Sequence, residues 1–197
     1  MKIGIDIDDT LIYSLEDFLK FYNEKNNTRH HCEDNYSSMR FHEFLGITKD
    51  ELYYWYKKYD ITYNKNIKPI EGAKEILSHL IKSNEIVLIT ARPSRLKFET
   101  FEILKKHFPE FDFEVLFQDS FKQGEITSKG DICLDRNINL MIDDDNKNSL
   151  DCASKGIQVI LFDKPWNKGV EHKLIKRVYN WKEIFKEIEK FNIKNGC

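Results

Sequence analysis

Lys2–Thr10 reads KIGIDIDDT, a short hydrophobic strand that runs straight into a cluster of carboxylates. Ile3, Ile5 and Ile7 are β-branched and suit a buried strand, and Gly4 leaves room for a close neighbour. Asp6, Asp8 and Asp9 then gather at the carboxyl end. Asp is a poor strand former, and like charges at one strand tip repel unless something cationic sits among them. Turns also favour Asp, but these acids follow a hydrophobic strand, where parallel sheets place their ligands. A divalent cation is the simplest stabiliser, and hard oxygen donors point to Mg²⁺.

Outward from this strand, Leu11–Tyr22 has apolar residues at helical spacing. Residues 23–35 turn polar. Half of the chain's Phe, Trp and Tyr then fall between Tyr13 and Tyr63. Later segments alternate. Helices are predicted over Ala73–Ile81, Leu96–His107, Lys129–Asp135, Lys147–Ser154 and Trp181–Phe191. Strands are predicted over Glu85–Thr90, Asp112–Phe117, Asn139–Ile142 and Gly156–Phe162. Alternation of this kind predicts an α/β fold, a parallel sheet covered by helices on both faces.

The 197 residues suffice for one good-sized core plus a small insertion. A formal net charge of −2 gives no electrostatic case for a nucleic-acid polymer as partner. No apolar run reaches the roughly 18 residues a membrane span needs. The core strand starts at residue 2, so no signal peptide is expected. Cys32, Cys133, Cys152 and Cys197 show no paired spacing, and free thiols in a reducing cytoplasm are expected. His30, His31 and Cys32 hint at zinc, but no second pair completes a site, and a solvated loop is the expectation.

DIDDT resembles the first motif of the haloacid dehalogenase (HAD) superfamily, Asp-x-Asp-x-Thr or Val. Three more of its motifs follow in order: Ile86–Thr90 (IVLIT), an apolar strand ending in Thr; Lys129 in SKGDIC; and Leu140–Asp145 (LMIDDD), an apolar strand ending in acids. ITARP and PIEGAKEIL look most like the 5′-nucleotidase (deoxyribonucleotidase) group. The resemblance implies a Rossmann-like core over residues 1–14 and 67–197, with residues 15–66 inserted as a small helical type-1 cap. The aromatic residues would mostly build the cap's own small core, with one or two stacking on a substrate ring.

The resemblance also implies roles. Asp6 would be the nucleophile, forming an aspartyl-phosphate, and Asp8 the general acid and then the base. Asp6, the Asp8 backbone carbonyl and Asp144 would ligate Mg²⁺, with Asp143 holding a metal-bound water. Thr90, Ala91 and the backbone N–H groups there would bind phosphate. Lys129, with Lys122 as fallback, would neutralise it and pin Asp6. Arg92 would reach the phosphate or cap a helix, and Thr10 would orient Asp8. Asp9 and Asp145 read as local residues, Asp145 starting a helix, and Trp166, in DKPWN (Asp163–Asn167) past the fifth strand, as packing, with contact to the cap or the substrate as the alternatives. The implied activity is hydrolysis of a small phosphomonoester, above all a nucleoside 5′-monophosphate. A sugar-phosphate phosphatase, a phosphotransferase and a catalytically silent binding protein are the alternatives.

Overall fold

The computed structural model describes residues 1–33, 41–62, 67–121 and 127–194; Lys122, Tyr36, Tyr63 and Cys197 lie outside them. Six strands, β1 (Lys2–Ile5), β2 (Glu85–Thr90), β3 (Glu114–Phe117), β4 (Leu140–Asp143), β5 (Gln158–Phe162) and β6 (Ile175–Val178), form one sheet in the order β3-β2-β1-β4-β5-β6. Every pairing is parallel. The opening stretch is therefore the centre of the sheet. Ile3, Ile5 and Ile7 are fully buried, and a Cβ on Gly4 would stand 2.8 Å from the Met141 sulfur. β1 pairs with β2 on one side and β4 on the other, so the chain switches direction across the sheet at β1. The crevice at the carboxyl ends of β1 and β4 is where such folds bind ligands.

Beyond β1 the predicted helix starts late. Leu11 and Ile12 donate back to the Ile7 carbonyl (2.9 and 3.2 Å), and Asp9 takes a left-handed φ of 54°. Helix α1 spans Ser14–Asn26. The Asp9 carboxylate accepts from Ser14 Oγ (2.9 Å) and the Leu15 N–H (3.2 Å), so this acid caps α1 from outside it. Helices α2 (Phe41–Phe44) and α3 (Lys49–Thr62) follow before the chain returns at α4 (Ala73–Leu80). Their aromatic residues pack on one another. Phe18 lies 4.5 Å from Tyr56 and 5.5 Å, edge on, from Tyr59, and Trp55 meets Tyr22 edge on at 5.6 Å. The buried Tyr59 hydroxyl donates to Asp17 (2.9 Å).

The remaining helices are α5 (Lys97–His107), α6 (Lys129–Asp135), α7 (Asn146–Ser154) and α8 (Trp181–Lys194). Ser128 caps α6 by accepting from the Asp131 N–H, and Asp145 caps α7 by accepting from the Asn148 N–H (2.8 Å), the helix-start role predicted for it. Trp181 is fully buried, and its indole N–H donates to the Thr10 carbonyl (3.0 Å), fastening α8 to the turn behind β1. Strand β6 went unpredicted. IKRV sets Lys176 and Arg177 side by side between two apolar residues on a sheet edge and carries no hydrophobic run. Among the described residues no helix is long and apolar enough to cross a membrane.

Candidate active site

The carboxyl ends of β1 and β4 lie side by side, tied by the Asp6 N–H donating to the Ile142 carbonyl (2.9 Å). Asp6, just past β1, and Asp143 and Asp144, at and just past the end of β4, therefore face one another. One oxygen from each lies within 4.8 Å of the others, and all three residues are buried. Lys129, the first residue of α6, is 1% exposed. Its ammonium donates to Asp6 Oδ1 (2.6 Å) and Asp143 Oδ2 (2.7 Å). Gly130 lets α6 come this close to α7: its N–H donates to Asp151 (2.8 Å), and a Cβ there would stand 2.5 Å from the same carboxylate.

Three carboxylates crowd together and Lys129 pairs with two of them, and their proton affinities register the excess. Burial, with Asp143 and Asp8 adding to it, outweighs Lys129 and pushes Asp6 up to about 8. Burial, then the charges of Asp6, Asp9 and Asp143, raises Asp144 well above the usual carboxylate range. Burial would lower Lys129, but Asp143 and Asp6 overcome it and keep the lysine charged. The trio plus Lys129 carries a formal charge of −2, and all its donors are hard oxygens. That donor set fits a divalent cation of the Mg²⁺ kind.

Asp8 points elsewhere. Arg92, buried after β2, grips it with Nε (2.8 Å) and Nη2 (2.7 Å), a bidentate pair that outweighs burial and holds Asp8 below the usual carboxylate range. Arg92 thus contacts neither a helix end nor the carboxylate trio. Thr90 is fully buried at the end of β2, and its Oγ1 accepts from the Arg92 N–H (3.0 Å), while Ala91 is exposed beside it. Thr10 donates to Asp144 Oδ1 (3.3 Å), which corrects the expectation that it orients Asp8. Trp166 makes a polar contact that the packing reading did not include: its indole N–H donates to Asp144 Oδ2 (2.8 Å). Asn167 has only a positional signal in the sequence, as the last residue of DKPWN past the fifth strand. It is fully buried and donates to the Asp144 carbonyl (2.8 Å).

A cavity of about 420 Å³ opens beside Asp8. Phe18, Tyr53, Tyr56 and Tyr59 line one side and Ala91, Arg92 and Pro93 the other, and Asp60 and Arg95 form an ion pair there (2.9 Å). Tyr54 does not line it and is 52% exposed, and Trp55 packs on α1. His30 packs against Tyr22 and Phe44. Among the described residues, Asp6, Asp143 and Asp144 form the only cluster of three that could hold a metal. Cys32, Cys133 and Cys152 are free thiols.

The profile of the family described as 5′ nucleotidase, deoxy (Pyrimidine), cytosolic type C protein matches residues 1–192. A nucleotidase of Clostridium acetobutylicum is 27% identical over 187 residues, covering 94% of this chain and 92% of that protein. A provisionally named nucleotidase of Bacillus cereus is 30% identical over 196 residues, covering 96% and 99%. Among solved structures, a haloacid dehalogenase-like protein of unknown function from Agrobacterium tumefaciens superposes with a TM-score of 0.71 at 15% identity, covering 96% of this chain and 98% of that one. A HAD family hydrolase from Deinococcus radiodurans, with bound phosphate and sodium, gives a TM-score of 0.67 at 14% identity, covering 96% and 95%. The structural likenesses show the HAD fold.

Proposed function

Because the chain belongs to the family of 5′ nucleotidases, deoxy (pyrimidine), cytosolic type C, we propose that it is a Mg²⁺-dependent phosphomonoesterase that hydrolyses nucleoside 5′-monophosphates in the cytoplasm through an aspartyl-phosphate at Asp6. The observation that carries the reading is Lys129, buried and donating to both Asp6 and Asp143, with an aromatic-walled cavity opening beside Asp8, two residues on from Asp6.

Asp6, the Asp8 backbone carbonyl and Asp144 are the residues that would hold Mg²⁺, with Asp143 behind them. When bound, the ion neutralises phosphoryl charge and aligns the ester with its nucleophile. Lys129 fixes the Asp6 carboxylate and adds positive charge where the transferring oxygens sit. An Asp6 oxygen attacks phosphorus, the ester P–O bond breaks, and the leaving alkoxide takes a proton from Asp8. Asp8, now a carboxylate, removes a proton from water. That water attacks phosphorus, releasing phosphate and freeing Asp6. Thr90 and the N–H groups of the following turn hold the phosphate.

Arg92 keeps Asp8 ionised, the form required by the second half of the cycle. The first half needs a proton on Asp8, so the pair has to loosen when a phosphate dianion offers Arg92 a second anion. Helices α1 and α3 form the cap. Phe18, Tyr53, Tyr56 and Tyr59 give the leaving group an aromatic wall suited to a planar base, because every base has a π-face.

Phosphate release from a panel of nucleoside monophosphates and sugar phosphates, with Mg²⁺ and with EDTA, tests this. Metal-dependent release concentrated on nucleotides is expected. Release from sugar phosphates alone would overturn the substrate, and equal release in EDTA would overturn the metal.

A further inference from the structure

The loop between β5 and β6 is stitched to Asp144 by buried polar contacts that the proposed reaction does not use. The side-chain amide of Asn167 is fully engaged. It donates to the carbonyls of Asp144 (2.8 Å) and Phe162 (2.7 Å) and accepts from the Lys164 N–H (3.1 Å) and Arg177 Nη1 (2.5 Å). Arg177, on edge strand β6, also donates to the Asn167 carbonyl (2.8 Å) and to Asp163 (2.8 Å). Asn146, at the start of α7, donates to the Trp166 carbonyl (3.0 Å). Trp166 in turn places its indole N–H on Asp144 Oδ2 (2.8 Å). Asn167, the buried centre of this network, has every side-chain donor and acceptor engaged, which holds it rigidly, and the contacts converge on the backbone and the side chain of one carboxylate.

We infer that Trp166, Asn167 and Arg177 form a brace that positions Asp144 for a divalent cation. They are positioning residues: none offers the ion a donor, and each acts through Asp144. Thr10 holds the other carboxylate oxygen at 3.3 Å, so the rotation of Asp144 is set from both sides, and each oxygen keeps a lone pair for the ion. Partners of this kind around a ligating carboxylate tune metal affinity. The inference rests on Asp144 being a metal ligand, and the test separates the two.

Mn²⁺, which accepts the same oxygen donors, is titrated into the protein, and the loss of its aqueous EPR signal gives the dissociation constant for wild type, Asp144→Asn, Trp166→Phe and Arg177→Met. Thermal unfolding of each in EDTA reports the fold. Trp166→Phe keeps an aromatic ring, though a smaller one, and removes the N–H, and binding should weaken roughly 10- to 100-fold with the metal-free melting temperature little changed. Arg177→Met should move affinity in the same direction; if it fails to fold, Trp166→Phe alone decides. Loss of binding in Asp144→Asn with wild-type affinity in Trp166→Phe would overturn the brace and leave the metal reading standing. Wild-type affinity in Asp144→Asn would overturn both.

Discussion

Replacing Lys129 with Met removes the one ammonium that Asp6 and Asp143 share and leaves a side chain of similar length in its place. Breaking a buried ion pair by deleting one partner costs about 3–5 kcal/mol, because the remaining charge has neither water nor a counter-ion. Lys129 is 1% exposed and contacts both carboxylates within 2.7 Å, so its loss belongs in that range. For a chain of this size each kcal/mol shifts the melting temperature about 2–4 °C. The metal-free variant should therefore melt roughly 6–20 °C below wild type at pH 8. Protons can partly replace the lysine. In the metal-free protein Asp6 is already raised from 3.8 to about 8, so between those values the folded state binds more protons than the unfolded chain. Stability then falls as pH rises through that window. Without Lys129 the proton affinity of Asp6 rises further, so the gap between variant and wild type should be smaller at pH 5.5 than at pH 8. Millimolar Mg²⁺ should restore much of the loss at pH 8, because it binds only the folded state. Differential scanning calorimetry in EDTA at both pH values, then with Mg²⁺, gives the answer. A melting temperature at pH 8 indistinguishable from wild type, or a gap that does not depend on pH, would refute the charge argument.

Tyr53→Ala and Tyr56→Ala should raise KM for a nucleoside monophosphate more than they lower kcat, whereas Tyr54→Ala, which does not line the cavity, should leave both unchanged; steady-state kinetics on the three variants checks this. Gly130→Ala should destabilise the fold by about 1–3 kcal/mol, since the new Cβ crowds Asp151 and Lys155 and overpacking has that magnitude; urea unfolding measures it. Asp6→Asn should abolish turnover and leave the metal-free melting temperature unchanged or raised, because it removes one of three crowded carboxylates. Near wild-type turnover in that variant would sink the nucleophile assignment.

What could be read from the sequence was what depends on neighbours along the chain. KIGIDIDDT announces a central strand because three β-branched residues alternate before the acids, and the acid-ended LMIDD and Thr-ended IVLIT do the same for β4 and β2. Lys129 is legible only through the family resemblance, because SKGDIC opens a helix and precedes LMIDDD at the distance the family shows. The missed contacts are set by partners far apart in sequence. Arg92 and Asp8 are 84 residues apart, and Thr10 and Asp144 are 134 apart, so no local pattern reveals either pair. Asn167 and Arg177 lie around an edge strand whose charged residues mask it as a strand. The late start of α1 has a local cause, Asp9 in a left-handed turn, which helical periodicity beginning at Leu11 conceals.

Covalent catalysis at Asp6 is tested most directly by trapping. Asp8→Asn is mixed with p-nitrophenyl phosphate and Mg²⁺; the aryl oxide needs no proton to leave, and the variant lacks the base for the second step. The mixture is acid-quenched and reduced with borohydride, which converts an aspartyl-phosphate to homoserine, and the peptides are read by mass spectrometry. Homoserine at position 6, dependent on the phosphate ester and absent from Asp6→Asn, is the predicted result. An unmodified Asp6 alongside released nitrophenol, or reduction at another carboxylate, would contradict it.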